Sequence, residues 1–205
     1  MTESRRGLIK KTLGGAVLLA AAGAVPLALR KTRLRQPPKG LELRFFTPAE
    51  YSVWAAVADR ILAREATRYT QDPSTAQRAE AREKTEKRPP PPTPAEVDVA
   101  GKADAFLAPL PQNDAKELKQ LLALFDNALF SLLMGGPPRP FTQMDPAGQD
   151  AQLDAWRNSR LAVRRTGFQA MKRLCSAIYF GSPETYASVG YPGPPVDLVK
   201  SVLQK

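Results

Sequence analysis

Apolar residues recur at intervals of three and four over most of the chain after residue 45, a spacing that places them on one face of an α-helix. The first such segment opens with Thr47-Pro48-Ala49-Glu50, in which Thr47 suits the N-cap, Pro48 suits the first helical position and Glu50 can complete a capping box. We expect this helix to end between residues 64 and 67. The repeated pattern predicts an all-α fold, with a compact domain of about five or six helices.

The strongest apolar stripe lies between residues 118 and 133 and is rich in leucine. It predicts one helix, capped by Asp114, with its apolar face in the core. A further helix opens at Asp145 and places Trp156 on its apolar face, so Trp156 is predicted to be buried.

A longer helix is predicted over residues 159–180, with Leu161 and Cys175 on one apolar face. On such a face Cys175 is a small buried hydrophobe and not a nucleophile. The other faces are basic and are predicted to be solvated, with an acidic partner or a phosphate as the alternative. Their basic residues are Arg157, Arg160, Arg164, Arg165, Lys172 and Arg173.

The start of the chain differs, because residues 12–29 form an uncharged apolar run that follows a basic segment. This order is typical of an export signal, and two adjacent arginines indicate the twin-arginine route, which carries folded proteins across the bacterial inner membrane. Segment 1–29 is therefore predicted to be a twin-arginine signal or a membrane anchor, the alternative being a basic N-terminus before an ordinary membrane helix. The residues that match the signal are Ser4, Arg5, Arg6, Leu8, Ile9 and Lys10.

Ala22 and Ala24 form an A-x-A-like cleavage site within the apolar run, with the cut after Ala24. Cleavage and retention as an anchor are equally compatible with the sequence, because a basic patch follows closely. Residues 30–44 are basic and contain prolines, so they are predicted to link the leader to a helical domain at 45–205. Within that domain residues 70–94 have no apolar period and end in a proline run, which predicts a disordered insertion.

The charge of the chain is concentrated at its start. The whole chain has a net charge of +10, but residues 1–40 hold nine basic residues against one acidic residue, so the remaining 165 residues have a net charge of only +2. A nucleic-acid-binding protein would carry its basic surplus on the folded part, so no nucleic-acid partner is expected. Cations beside a membrane-directed segment suit the cytoplasmic face and anionic lipid instead.

Several kinds of active site are excluded by composition, because the chain has no histidine and one cysteine. Histidine-dependent triads, the usual zinc sites and C-x-x-C-H haem attachment cannot be built. No glycine-rich dinucleotide fingerprint follows a strand-like run. The carboxylates of Glu50, Asp59 and Asp104 are candidates for acid–base chemistry, but nothing in their spacing marks a pair. We therefore expect no catalytic residue, no metal and no cofactor bound by this chain.

The loop after the last clear helix is rich in glycine and proline and carries aromatic residues. Such a loop has fixed turns and an aromatic anchor, which is typical of a binding surface, although a packed tail is the equal alternative. The predicted partner-binding residues are Tyr186, Gly190, Tyr191, Pro192 and Gly193.

Two blocks of sequence resemble a known family. The segments 46–50 and 58–62, together with the C-terminal block 183–186 and 190–194, resemble the small-subunit family of gluconate 2-dehydrogenase, called subunit 3. Trp156, Ser159 and Phe168 and the pair Tyr179-Phe180 extend the resemblance, which covers most of the chain outside 70–94.

This resemblance implies a non-catalytic subunit of a flavin-dependent sugar or alcohol dehydrogenase of the glucose-methanol-choline type. The flavoprotein partner would hold FAD and would cross the inner membrane on this chain's leader by the twin-arginine translocase. A membrane cytochrome c with haem would complete the complex, at the periplasmic face of the inner membrane. The alternatives are an interaction module unrelated to a dehydrogenase and a self-contained enzyme that uses carboxylate chemistry.

Overall fold

A computed structural model describes residues 30–71 and 89–194. Within these two ranges all regular secondary structure is helical, which confirms the predicted all-α fold, and there are seven α-helices where about five or six were expected. They are α1 (Pro48–Gln71), α2 (Val99–Leu107), α3 (Gln112–Phe125), α4 (Ala128–Leu133), α5 (Pro146–Arg157), α6 (Ala162–Phe180) and α7 (Pro183–Val189), with a 3₁₀ turn at Phe141–Gln143.

Helix α1 lies at the centre of the domain and packs against α2, α3, α5 and α6. It starts as predicted, because the Thr47 amide donates to the Glu50 carboxylate at 2.7 Å and the Glu50 amide donates to Thr47 Oγ1 at 3.3 Å. Trp54 is fully buried on this helix, and Phe46 stacks on it with ring centroids 5.6 Å apart. The helix continues to Gln71, past the end that the sequence predicted.

A second aromatic group joins α3 to α5. Trp156 is 1% exposed, and its ring lies 4.8 Å from that of Phe125, which in turn lies 4.7 Å from Phe141. The prediction that Trp156 is buried is therefore confirmed. Cys175 of α6 is also fully buried, as its apolar neighbours in the sequence indicated.

The leucine-rich stripe is not one helix, which corrects the prediction. Helix α3 ends at Phe125, and Asn127 caps α4 by accepting a hydrogen bond from the Phe130 amide at 2.9 Å. The break turns Leu132 and Leu133 outward, so that they are 43% and 68% exposed and do not belong to the core.

Two predicted helix starts also differ from the structure. Helix α3 begins at Gln112 after Pro111, so Asp114 lies in its first turn and is not its cap. Helix α6 begins at Ala162, and Leu161 before it is 47% exposed instead of buried.

Residues 30–46 form a segment that lies against the helices, called the N-terminal strap below. The Thr32 hydroxyl donates to Asp126 at 2.7 Å, the Arg33 amide donates to Thr142 Oγ1 at 3.0 Å, and the Arg35 amide donates to Ser52 Oγ at 2.8 Å. Side chains of the domain therefore hold part of residues 30–44, the segment predicted to link the leader to the domain.

The end of the predicted insertion at 70–94 also contacts the domain. The Tyr179 hydroxyl donates to the carbonyl of Pro92, and the Thr93 amide donates to Glu96 at 2.6 Å in a second capping box. Residues 72–88, which make up most of the insertion, lie outside the described residues. No helix in the described ranges has the length and apolar character needed to cross a bilayer, and the apolar run 12–29 lies outside those ranges.

Candidate functional site

The predicted binding loop follows α7 and has a defined conformation. Gly190 ends the helix with φ of 69°, a left-handed conformation that favours glycine, and the Tyr191 amide donates to the Tyr186 carbonyl at 2.9 Å. Gly193 is also left-handed, with φ of 95°. The two glycines therefore set the turns, and Tyr191 is held between them.

Two tyrosines form the exposed face of this loop. The rings of Tyr186 and Tyr191 meet edge to face, with centroids 4.9 Å apart, and Tyr191 is 44% exposed. The Tyr186 hydroxyl donates to the Gly181 carbonyl at 3.0 Å, which fixes the pair to the C-terminal end of α6. We call Tyr186, Gly190, Tyr191, Pro192 and Gly193 the tyrosine loop.

The structure brings the five predicted loop residues together in one place. A Cβ on Gly193 would lie 3.8 Å from the Tyr186 ring, and Pro192 is exposed beside Tyr191. The face offers aromatic surface and hydroxyl groups, which suit a protein contact better than proton transfer. The predicted signal residues between Ser4 and Lys10, and the predicted cleavage site at Ala22 and Ala24, lie outside the described residues.

The three candidate carboxylates each have a structural partner. Asp104 is 1% exposed and accepts the backbone amides of Arg44, Phe45 and Phe46 at 2.7, 3.0 and 2.7 Å, respectively. Glu50 belongs to the capping box of α1, and Asp59 pairs with Arg35 at 2.6 Å. The described geometry brings none of the three together as a pair for acid–base chemistry.

The single cysteine has the properties of a core residue. Burial raises the pKa of the Cys175 thiol, and thiolate chemistry requires the opposite shift. In residues 30–71 and 89–194 no three Cys, Asp or Glu side chains lie close enough together to hold a metal ion.

A polar cavity of about 240 Å³ lies between the strap, α1 and the start of α2. Its lining includes Arg35, Tyr51, Asp59 and Asp98. Asp98 is the one non-glycine residue with a positive φ, 52°, in the described part of the chain, and it caps α2 through the Gly101 amide. Burial and then the nearby Asp98 raise the pKa of Tyr51. The cavity is smaller than most pockets for organic ligands.

The burial of Arg164 was not predicted from the sequence, which placed this residue on a solvated face of the helix. Arg164 is 7% exposed, and its guanidinium lies 5.4 Å from the centre of the Trp156 ring. Its Nε atom has no hydrogen-bond partner among the described residues, and burial lowers the pKa of the side chain. The signal in the sequence was the density of arginine between 157 and 165, where four occur without an acidic residue.

Comparison with known proteins identifies no relative. No protein-family model, no curated protein sequence and no solved structure matches this chain.

Proposed function

We propose that this chain is a non-catalytic small subunit of a periplasmic, membrane-associated dehydrogenase of the flavin-dependent glucose-methanol-choline type. In this proposal it carries the catalytic flavoprotein through the twin-arginine route and stabilises it afterwards. FAD is held by the flavoprotein and haem by a cytochrome c, and neither is assigned to this chain. The substrate is a sugar or an alcohol, in keeping with the sequence resemblance to gluconate 2-dehydrogenase subunit 3.

One observation supports this proposal above the others: the tyrosine loop is ordered and half-exposed. Residues 190–194, where the resemblance to the family is most specific, therefore lie at the surface of the domain, where a partner can reach them. Tyr191 supplies the rigid aromatic area that anchors many protein interfaces. A packed tail, the alternative for this loop, would bury that ring.

The alternative of a self-contained enzyme has less support. Its best acidic candidate, Asp104, uses both carboxylate oxygens to hold backbone amides. An interaction module unrelated to a dehydrogenase would use the same loop and differs only in its partner, so the experiment must identify the partner directly.

The first arm of the experiment tests the carrier role in cells that also express the flavoprotein. Arg5→Lys combined with Arg6→Lys should leave both proteins in the cytoplasm, because the pair of arginines is what the route recognises. Immunoblots and dehydrogenase activity in the two compartments measure this outcome. Arrival of the flavoprotein in the periplasm without the twin arginines refutes the carrier role.

The second arm tests the tyrosine loop. Tyr191→Ala should leave this chain exported but lower the amount of periplasmic flavoprotein, since loss of an aromatic anchor commonly costs about 2 kcal/mol at an interface. Leu133→Ala is the control, because Leu133 is an exposed apolar residue on α4. Helix α4 lies near the start of α6, whereas the tyrosine loop lies beyond its end. Equal effects of the two substitutions would refute the loop as the docking surface and leave the carrier role standing.

A further inference from the structure

Arg164 is a buried cation with no anionic partner in the part of the chain that the structure describes. Two other partly buried arginines of the described domain have carboxylate partners, Arg60 with Asp150 and Arg64 with Asp154. Arg164 is more buried than either, yet no carboxylate of the described ranges lies within ion-pair distance of it. The Trp156 ring compensates only in part, because an unpaired charge removed from water is costly.

The position of Arg164 increases this cost. It lies in the first turn of α6, a helix of 19 residues whose N-terminal end carries a partial positive charge. Among residues 30–71 and 89–194 no side chain caps this end, so the first amides of the helix have no side-chain acceptor there. A buried cation at the positive end of an uncapped helix therefore favours an anion from outside the described structure.

The neighbouring residues add further positive charge. Residues 157–165 contain Arg157, Arg160, Arg164 and Arg165 and no acidic residue, and we call these four the arginine cluster. Arg165 donates to the carbonyls of Ser159 and Arg160 at 2.6 and 2.9 Å, which fixes the turn between α5 and α6. Arg157 and Arg160 are exposed on that turn.

Apolar side chains lie among these cations. Leu161 and Val163 are 47% and 58% exposed within the same turn. Phe130 of α4 also contacts the Trp156 ring, with centroids 6.1 Å apart, so α4 and the start of α6 share one end of the bundle. Helix α4 adds its exposed Leu132 and Leu133 to that end.

The described chain also begins beside this region, at the residue that follows the predicted membrane segment in sequence. Arg30, which directly follows the apolar run 12–29, donates to the carbonyl of Pro138 at 2.6 Å. Pro138 follows Leu133 by five residues, so the first described residue lies beside the segment that follows α4.

We propose that the arginine cluster, with Leu161 and Val163, is a membrane-facing surface that binds the phosphate groups of anionic phospholipids. Interleaved arginine and aliphatic side chains match the boundary between headgroups and acyl chains, where cations meet phosphate and apolar side chains enter the lipid. The bilayer is favoured over an acidic protein because Arg30, which directly follows the predicted membrane segment in sequence, contacts the segment after α4. This proposal goes beyond the carrier function and does not require a flavoprotein.

The proposed surface lies far from the tyrosine loop. Helix α6 separates the two, and its 19 residues span about 28 Å. A domain that rests on lipid through the start of α6 would therefore present the tyrosine loop away from the membrane, where a soluble partner can bind.

The test uses the full chain and a fluorescent label that responds to its environment. Cys175 is fully buried, so a thiol introduced as Val163→Cys is the accessible labelling site in the folded protein. Vesicles of phosphatidylcholine alone are compared with vesicles that also contain phosphatidylglycerol. Emission at position 163 should shift to the blue only with phosphatidylglycerol, and a label at Ala187→Cys, exposed on α7, should not shift with either.

Charge variants test the cluster in the labelled background. Arg164→Gln should weaken the binding to phosphatidylglycerol vesicles by roughly fivefold, the size expected for one cation at an anionic membrane surface. Arg157→Gln combined with Arg160→Gln removes only exposed side chains, so it tests the surface even if Arg164→Gln disturbs folding. Arg173→Gln removes the same charge from an exposed position farther along α6 and should retain binding.

Three outcomes would overturn the proposal. The first is equal emission at position 163 with both kinds of vesicle. The second is an equal response at position 187, which would show that the leader alone brings the whole domain to the membrane. The third is a shift at 163 that requires the flavoprotein instead of phosphatidylglycerol, which would assign the surface to a protein partner. None of these readouts measures flavoprotein export, so their failure leaves the carrier function intact.

Discussion

Asp104 offers the sharpest test of whether a buried carboxylate in this domain is structural or chemical. It joins α2 to the N-terminal strap by accepting three consecutive backbone amides, those of Arg44, Phe45 and Phe46. Phe45 and Phe46 are buried, so their amides have no access to water if the carboxylate is removed. Phe46 also stacks on Trp54, which connects this bond network to the centre of the core.

The expected loss in the free energy of unfolding follows from the number of backbone amides left without an acceptor. In Asp104→Ala two buried amides lose their partner at about 1–3 kcal/mol each, whereas the exposed Arg44 amide can turn to water. We expect a loss of about 2–6 kcal/mol in the free energy of unfolding, a large share of the stability of a typical domain. Asp104→Asn keeps one carbonyl oxygen and should lose about 1.5–3 kcal/mol, the value of one hydrogen bond to a charged group.

Urea denaturation followed by circular dichroism measures both variants. The matched control is Asp145→Ala, because Asp145 also accepts a backbone amide, that of Gly148 at 3.0 Å, but at an exposed N-cap. The control should lose about 1 kcal/mol. An Asp104→Ala variant no less stable than this control would refute the structural role. If the purified wild type turned over a substrate and Asp104→Asn abolished that activity at unchanged stability, the result would support a catalytic role for Asp104.

Three further predictions concern buried side chains. Trp156→Ala should lower the free energy of unfolding by about 3–5 kcal/mol through the cavity it leaves, and an unchanged melting curve would contradict the observed packing. Burial raises the pKa of Asp126 above its ordinary 3.8, so the stability contributed by this group is fully present below that pH and is lost as the pH rises through the raised value. Asp126→Asn should therefore gain stability relative to the wild type as the pH rises from below 3.8 towards neutrality, and a difference independent of pH in urea titrations would contradict this. Cys175 should react with a thiol reagent only as fast as the domain unfolds, and rapid labelling of native protein would show that the thiol is accessible.

The sequence predicted those features that depend on near neighbours. The capping box of Thr47 and Glu50 involves residues three positions apart, and the burial of Trp156 and Cys175 follows from helical spacing. The tyrosine loop was located by its glycines and prolines, because left-handed turns favour glycine and proline holds the neighbouring turn positions at a fixed negative φ. Its role as a docking surface stays a prediction.

Other features depend on residues that are distant in the chain. The strap could not be predicted, because Thr32 and Arg33 bond to Asp126 and Thr142, which lie 94 and 109 positions away. Periodicity also did not reveal the helix break after Phe125, so Leu132 and Leu133 resembled the leucines before it that pack on the core. The arginine cluster was recognised as a run of charge, but the burial of Arg164 depends on the aromatic ring of another helix.

The contacts of the strap also impose an order on folding. Residues 30–33 can reach their acceptors only after the chain as far as Pro138 and Thr142 has been synthesised and the 3₁₀ turn has formed beside α3. Closing a loop of about a hundred residues has an entropic cost. The contacts of the strap offset that cost only when their acceptors on the helices are already in place. The residues that adjoin the N-terminal apolar run therefore become fixed only after the end of α3 and the 3₁₀ turn have come together. Their attachment depends on chain that is synthesised about a hundred residues later.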